Sequence, residues 1–282
     1  MLKVPDHQVA GHKADAGKLG PLIDESGCFY KPMQSDERGT SEAAFYTSFS
    51  SNTKMSDHIT RYFPKFYSTQ LVQASDGSGM QPHLVLQDLT FNRVDPSVMD
   101  VKIGSRTWAP QAPEDYINKC LKKDRESTSV SLGFRLSGLQ VFESKRSGFW
   151  KRGKMEIMCL SDDGIRLYLK RYVSSNVLDS KPDCAFASVV YGGSTGILSQ
   201  LLELKAWFED QTIYHFYSCS VKLVDFAHVF EGKGVIDHNF LGGLCSLIKF
   251  ISEILTTPDG CVTDGLSEDG QKSRIYFENG PG

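Results

Sequence analysis

The chain has 282 residues, 40% of them hydrophobic, and a formal net charge of -3. That length suits one large domain or two closely packed smaller ones, and the charge excludes any global attraction to nucleic acid, so anion binding must come from a local cluster of Lys and Arg. No stretch of eighteen apolar residues occurs, the first twenty residues are polar, and the seven cysteines are scattered with no Cys-x-x-Cys pair. Membrane spans, a secretory signal, a disulfide framework and a zinc site are therefore not expected, and the chain reads as intracellular with reduced thiols.

In chain order, a strand is expected at 29–32, carrying Lys31. Thr40 or Ser41 would cap a first helix with Glu42 in its first turn and Phe45 and Phe49 on one face. Alternating apolar runs predict strands at 84–89, 98–103, 134–142, 165–173 and 213–226. A second helix starts at Pro113, with Glu114 and Asp115 complementing its positive end. Two more helices, about 195–210 and 240–255, carry apolar stripes at helical spacing. A strand-rich part, 1–88, followed by a mixed part, 89–255, describes two lobes, and the Gly-, Asp- and Ser-rich tail from 256 to 282 is expected to be disordered.

Chemistry concentrates at Pro96-Ser97-Val98-Met99-Asp100-Val101-Lys102-Ile103-Gly104. On a strand, Asp100 and Lys102 share a face, giving either an exposed ion pair or a site carboxylate beside a site ammonium. Lys119, Lys122 and Lys123, three and four apart on the second helix, form either a solvated basic face or a phosphate-binding one. Asp225 ends an apolar run and is either a turn carboxylate or a hard ligand for Mg²⁺.

The nonapeptide fits the pattern Pro-x-x-x-Asp-x-Lys-x-Gly and resembles the inositol phosphate kinase family. So do His7-Gln8-Val9-Ala10-Gly11-His12, Ala185-Phe186-Ala187-Ser188 with Tyr191-Gly192-Gly193, Val224-Asp225-Phe226-Ala227-His228 and Asp237-His238-Asn239-Phe240-Leu241-Gly242-Gly243-Leu244. The likeness runs from about Val4 to Leu255 and is nearest to the plant multikinase branch. It implies an α+β, two-lobed fold similar to protein kinases, built of antiparallel sheets with helices, with ATP and Mg²⁺ between the lobes and inositol phosphates as substrates.

By resemblance, Lys31 meets the ATP phosphates with Glu42 orienting it, and backbone groups of Gln87 and Leu89 meet the adenine. Asp100 meets the ribose, and Lys102 stands between the transferring phosphate and the acceptor. Asp225 holds the metal, and Lys119, Lys122, Lys123 and His228 hold the substrate. A monomer free of nucleic acid and of membrane insertion, in nucleus and cytoplasm, is the matching expectation. One departure stands out. Ser218-Cys219-Ser220 runs straight into Val221 to Asp225 with no turn residue, where the family has a hairpin and loop. A strand is therefore expected to be missing beside Asp225, which opens the alternative of a catalytically weak binding scaffold.

Overall fold

The computed structural model describes residues 1–11, 18–52 and 55–256. The expected tail, beyond Thr256, and His12 lie outside them.

Three antiparallel sheets and the helices around them make an α+β fold. The first sheet contains β1 (Leu22–Ile23), β2 (Cys28–Pro32), β3 (Phe66–Gln73) and β4 (Met80–Gln87), in the order β1-β2-β4-β3. Between β2 and β3 lie α1 (Glu37–Ser50) and the single turn α2 (Asp57–Thr60). The second sheet contains β5 (Val98–Ile103), β6 (Phe134–Ser144) and β7 (Gly148–Lys151), with α3 (Glu114–Arg125) and α4 (Ser129–Leu132) between the first two strands. Then follow α5 (Lys154–Met158), α6 (Asp162–Tyr172), α7 (Ala187–Val190), α8 (Ile197–Asp210), the pair β8 (Tyr214–Phe216) and β9 (Val229–Glu231), and α9 (His238–Thr256).

Helix α1 starts earlier than expected. Asp36, not Thr40 or Ser41, caps it by accepting from the Arg38 N–H, so Glu42 falls past the first turn, where it is buried. The expected strand at 165–173 is instead α6. Its residues Ile165, Leu167, Leu169 and Val173 alternate, but Ile165, Tyr168, Leu169 and Tyr172 also recur at helical spacing, and these are the ones that burial selects. Ser161 caps the helix through Gly164 N–H, with Asp162 and Asp163 in the first turn and Lys170 and Arg171 in the last. Those end signals outweigh an alternation that fits both periods.

The expected strand at 213–226 is also corrected. Only Tyr214–Phe216 pairs as a strand, with Val229–Glu231. Ser218 and Asp225 take positive φ, which breaks an extended run.

One core holds the sheets together. Phe226, 1% exposed, sits 4.4 Å from Phe45 and 5.4 Å from Phe63 between ring centroids, so the residue after Asp225 is anchored against α1. Burying such a ring contributes about 2–3 kcal/mol. Helix α9 is long and apolar enough by composition to cross a membrane. Here Phe240, Leu244, Leu247, Phe250, Ile251 and Ile254 on one face are core, with Phe240 stacked on Phe208 at 4.3 Å.

Candidate active site

The signature strand β5 is pinned at both ends. Gln140 of β6 donates to the Pro96 carbonyl at 2.8 Å, and the Ser97 hydroxyl accepts from Phe142 N–H at 2.9 Å. At the other end Gly104, with φ +111°, donates to the Gly133 carbonyl at 2.7 Å, and a Cβ on it would lie 2.6 Å from the Asn239 amide nitrogen. Only glycine fits there, because both the left-handed backbone and the close approach exclude a side chain. Asn239, near the start of α9, grips the next turn by accepting from Arg106 N–H at 3.0 Å and donating to its carbonyl at 2.9 Å.

Between these pins, Asp100 and Lys102 both reach the segment 219–225. The Ser220 hydroxyl donates to Asp100 Oδ1 at 2.8 Å, and Lys102 Nζ donates to Asp225 Oδ2. Asp225 Oδ1 accepts from Lys31 Nζ at 2.8 Å, and Lys31 also reaches Glu42 Oε1 at 2.7 Å. The same Glu42 oxygen accepts from Phe226 N–H at 3.1 Å. Two lysines, one from β2 and one from β5, therefore share one carboxylate whose backbone is fixed by α1.

Asp225 stands in the left-handed region, at φ +68°, which aspartate tolerates better than branched residues do. Burial works to raise its carboxyl, but the ammonium groups of Lys102 and Lys31 overcome burial and hold it well below the usual carboxylate range. For Lys31, burial would lower the ammonium, and Asp225 with Glu42 pushes it above the ordinary lysine value. Lys102 is likewise raised: burial opposes it, and Asp100 and Asp225 prevail. All three groups are thus held charged at neutral pH.

The chain passes directly from Ser220 to Val221, as the sequence implies. Cys219 O accepts from Ile103 N–H at 3.0 Å and Val221 N–H donates to Val101 O at 3.2 Å, so three residues cover the free edge of β5. Leu223 N–H then donates to Tyr62 O at 2.9 Å. The shortened route still delivers Asp225 to both lysines. It also leaves Lys222 half-buried, with its Nζ donating to the Arg61 carbonyl at 2.8 Å. Burial, then the charge of Arg61, pushes this ammonium down to about 8.

A lysine with a lowered folded value carries fewer protons when folded, so stability must rise as pH climbs from about 8 towards the unfolded value of about 10.4. Wild type should therefore gain up to about 3 kcal/mol relative to Lys222→Met over that window, read from urea unfolding at a series of pH values. Parallel curves for the two proteins would refute the assignment.

Lys119, Lys122 and Lys123 lie on α3 as expected, but they do not join the Asp225 cluster. Lys122, 75% exposed, faces Glu126 at 3.8 Å. Lys123 is half-buried, and its ammonium is lowered by burial, with Lys154, Lys119 and Arg135 adding to the effect. The bridge from α3 to the site is Tyr116, whose hydroxyl meets His228 Nε2 at 2.8 Å, and Arg38 lies over the Tyr116 ring at 5.8 Å. Burial, then Arg38, keeps His228 below its ordinary value. The sequence reading missed Tyr116, although its place three residues before Lys119 puts it on the same side of α3.

For Gln87 the structure narrows which backbone group could meet an adenine to its carbonyl. Its N–H donates to Lys65 O at 2.8 Å and is not free for an adenine edge, while Leu89 lies just beyond β4. A separate open groove of about 600 Å³, lined by residues such as Arg125, Ser131 and Asp162, lies at the far end of α3 and contains none of Lys31, Glu42, Asp100, Lys102 and Asp225. The six described cysteines are all free thiols, as expected.

A lysine of one sheet paired with a glutamate of α1, facing an aspartate and a lysine of a second sheet, defines a cleft of the class found in kinases. Known proteins agree. The inositol polyphosphate kinase family matches residues 83–252. Inositol polyphosphate multikinase beta of Arabidopsis thaliana is 58% identical over 282 positions, covering 90% of this chain and 94% of that protein. Inositol polyphosphate multikinase IPK2 of Oryza sativa subsp. indica is 48% identical over 294 positions, covering 95% and 98%.

Among solved structures, an inositol phosphate multikinase is similar at TM-score 0.67 and 53% identity, covering 76% of this chain and 99% of that one. Ipk2 of S. cerevisiae, solved with ADP and Mn²⁺, shares the fold at TM-score 0.64 and 16% identity, covering 81% and 99%. The chain belongs to the inositol polyphosphate kinase family. An alignment of 282 positions that covers 90% of a 282-residue chain includes positions with no counterpart here. The scaffold alternative finds no support in these relatives.

Proposed function

We propose that the chain transfers the terminal phosphate of ATP to hydroxyls of inositol 1,4,5-trisphosphate and then of inositol tetrakisphosphate, towards the pentakisphosphate. The observation that carries this reading is the Lys31–Asp225–Lys102 bridge, which brings two buried-stem cations and a carboxylate from separate sheets to one point. The residues 1–88 and 89–255 are the two lobes of this reading.

Phosphoryl transfer spreads charge over the transferring oxygens, and catalysis rests on positioning and electrostatics. Lys31, oriented by Glu42, supplies a point charge to the nucleotide phosphates. Lys102 supplies one between the transferring phosphate and the acceptor, where charge develops. Asp100, held by Ser220, accepts from ribose hydroxyls. Leu89, beyond the end of β4, offers backbone groups to the adenine.

Asp225 suits Mg²⁺: it is a hard carboxylate, 43% exposed on its side chain, and no group of three or more His, Cys, Asp or Glu side chains suited to a metal occurs among the described residues. The protein would give one carboxylate and the phosphates the remaining oxygens, as Mg²⁺ sites in kinases do. When bound, the cation neutralises phosphate charge. Asp225 would then exchange two ammonium partners for one dication, freeing Lys31 and Lys102 to meet phosphate.

Lys119, Lys122, Lys123 and His228 form the acceptor side in this reading. Each charge-assisted contact to phosphate is worth about 1.5–3 kcal/mol, so Lys119→Ala with Lys123→Ala should raise the KM for inositol trisphosphate ten-fold or more. An unchanged KM would remove α3 from the site. The reading extends to a monomer, in nucleus and cytoplasm, that binds neither nucleic acid nor membrane. Chromatography of labelled products from several inositol phosphates with MgATP tests the activity directly. A well-folded chain that transfers nothing overturns it.

A further inference from the structure

The segment at the N-terminus spans both large sheets. Lys3 exchanges two backbone hydrogen bonds with Ile23, at 2.9 and 2.8 Å, which adds a pairing to the β1 edge. Four residues on, the His7 ring packs on Phe149 of β7 at 5.2 Å, and Gln140 of β6 donates to His7 Nδ1 at 3.0 Å. Gln140 is fully buried, and the same amide nitrogen donates to the Pro96 carbonyl that opens the signature strand. Val9 and Ala10 then cross Gly138 so closely that a Cβ there would lie 2.3 Å from the Val9 carbonyl oxygen.

The side on which this crossing lies matters. Gly138 is the cross-strand partner of Asp100, and opposed residues of an antiparallel pair project to the same face. The backbone of residues 9 and 10 therefore runs over the face from which the Asp100 carboxylate projects.

We infer that residues 3–11 are a strap that walls the nucleotide side of the cleft, and that His7 is a positioning residue which, through Gln140, fixes the Pro96 end of the strand bearing Asp100. This rests on the reading above that Asp100 meets the nucleotide. The His7 nitrogen that faces Gln140 is an acceptor, because the amide nitrogen can only donate. Losing that acceptor leaves a buried donor unpaired and frees the strap from the signature strand.

Two substitutions separate the ring from the hydrogen bond. His7→Phe keeps a ring on Phe149 and deletes the acceptor, whereas His7→Asn puts an amide oxygen near the place of Nδ1. Gly138→Ala pushes the strap off β6, because the nearest neighbours of its Cβ are the Val9 carbonyl and the Ala10 nitrogen. Calorimetric titration of MgATP into the full chain, without acceptor, is the primary readout, with KM for ATP and for inositol trisphosphate, kcat and melting temperature alongside.

His7→Phe should weaken MgATP binding and raise the ATP KM roughly five-fold, with kcat and the inositol trisphosphate KM within about two-fold. His7→Asn should recover most of the loss, and Gly138→Ala should lose about ten-fold or more. Folded His7→Phe and Gly138→Ala proteins with wild-type nucleotide affinity overturn the strap. If Gly138→Ala does not fold, the contrast between Phe and Asn at position 7 decides alone. Wild type that binds no MgATP sinks the Asp100 reading and the strap with it, whereas failure of the strap alone leaves wild-type binding intact.

Discussion

Asp225→Asn is expected to lower kcat by about 10³-fold while leaving the chain folded. The substitution keeps the side-chain shape and removes the charge that Lys31 and Lys102 share. Two consequences follow from the geometry. The hard ligand for the cation is lost, and the two lysines lose the anion that gathers them from separate sheets. Losing a single preorganised charge partner in such sites costs roughly 10²–10³-fold, and here one change touches three groups.

Stability falls as well, with a sign set by the titration. Asp225 has a folded value depressed below the unfolded one, so its contribution is complete above the unfolded value of about 3.9 and is lost as pH falls through the folded value. At pH 7 wild type has all of it and the Asn variant none. Because the Asp225 side chain is 43% exposed, screening reduces the loss to about 1–2 kcal/mol. Single-turnover product formation and thermal unfolding measure the two effects. A kcat within ten-fold of wild type would remove Asp225 from the chemistry.

Gly243→Ala carries the largest expected loss of stability. A Cβ on Gly243 would stand 1.9 Å from the Gly133 carbonyl oxygen and 3.0 Å from the Gly104 nitrogen. Both neighbours are backbone and cannot swing away. Helix α9 must therefore retreat from the end of β5, and it carries the Phe240 stack on Phe208 and the Asn239 clasp on Arg106 with it.

Overpacking of this kind costs about 3 kcal/mol, a melting temperature lower by roughly 6–12 °C in a chain of this size. Gly242→Ala is the control, since nothing lies within 4 Å of its added Cβ. Removing a helical glycine there should be neutral or slightly stabilising. Equal melting temperatures for the two variants would contradict the three-glycine contact.

Much of the candidate site was legible before any coordinates. Asp100 and Lys102 on a strand, three lysines on one helix and Asp225 after an apolar run are local patterns, and residue type and spacing display them. The errors are equally physical. Residues 165–173 satisfy a two-residue and a helical period together, and the end signals from Ser161 to Asp163 and at Lys170 and Arg171, with burial of Tyr168 and Tyr172, decide for the helix. Residues 213–226 are rich in apolar and aromatic side chains with no Gly, Pro or Asn, and nothing in that pattern announces positive φ at Ser218 and Asp225. That the Gln87 N–H is taken by the Lys65 carbonyl, twenty-two residues away, is likewise a pairing no local pattern displays.

The sequence by itself determined the family, the signature strand with its basic helix, and which residue types carry charge, because these depend on neighbours a few positions apart. The tertiary structure alone decided that Lys31 and Lys102 meet on Asp225, that Glu42 fixes the Phe226 backbone, and that Val9 crosses Gly138 beside Asp100. Each of these joins residues more than a hundred positions apart. Such contacts arise when a shared core brings distant elements together, and no local period records them.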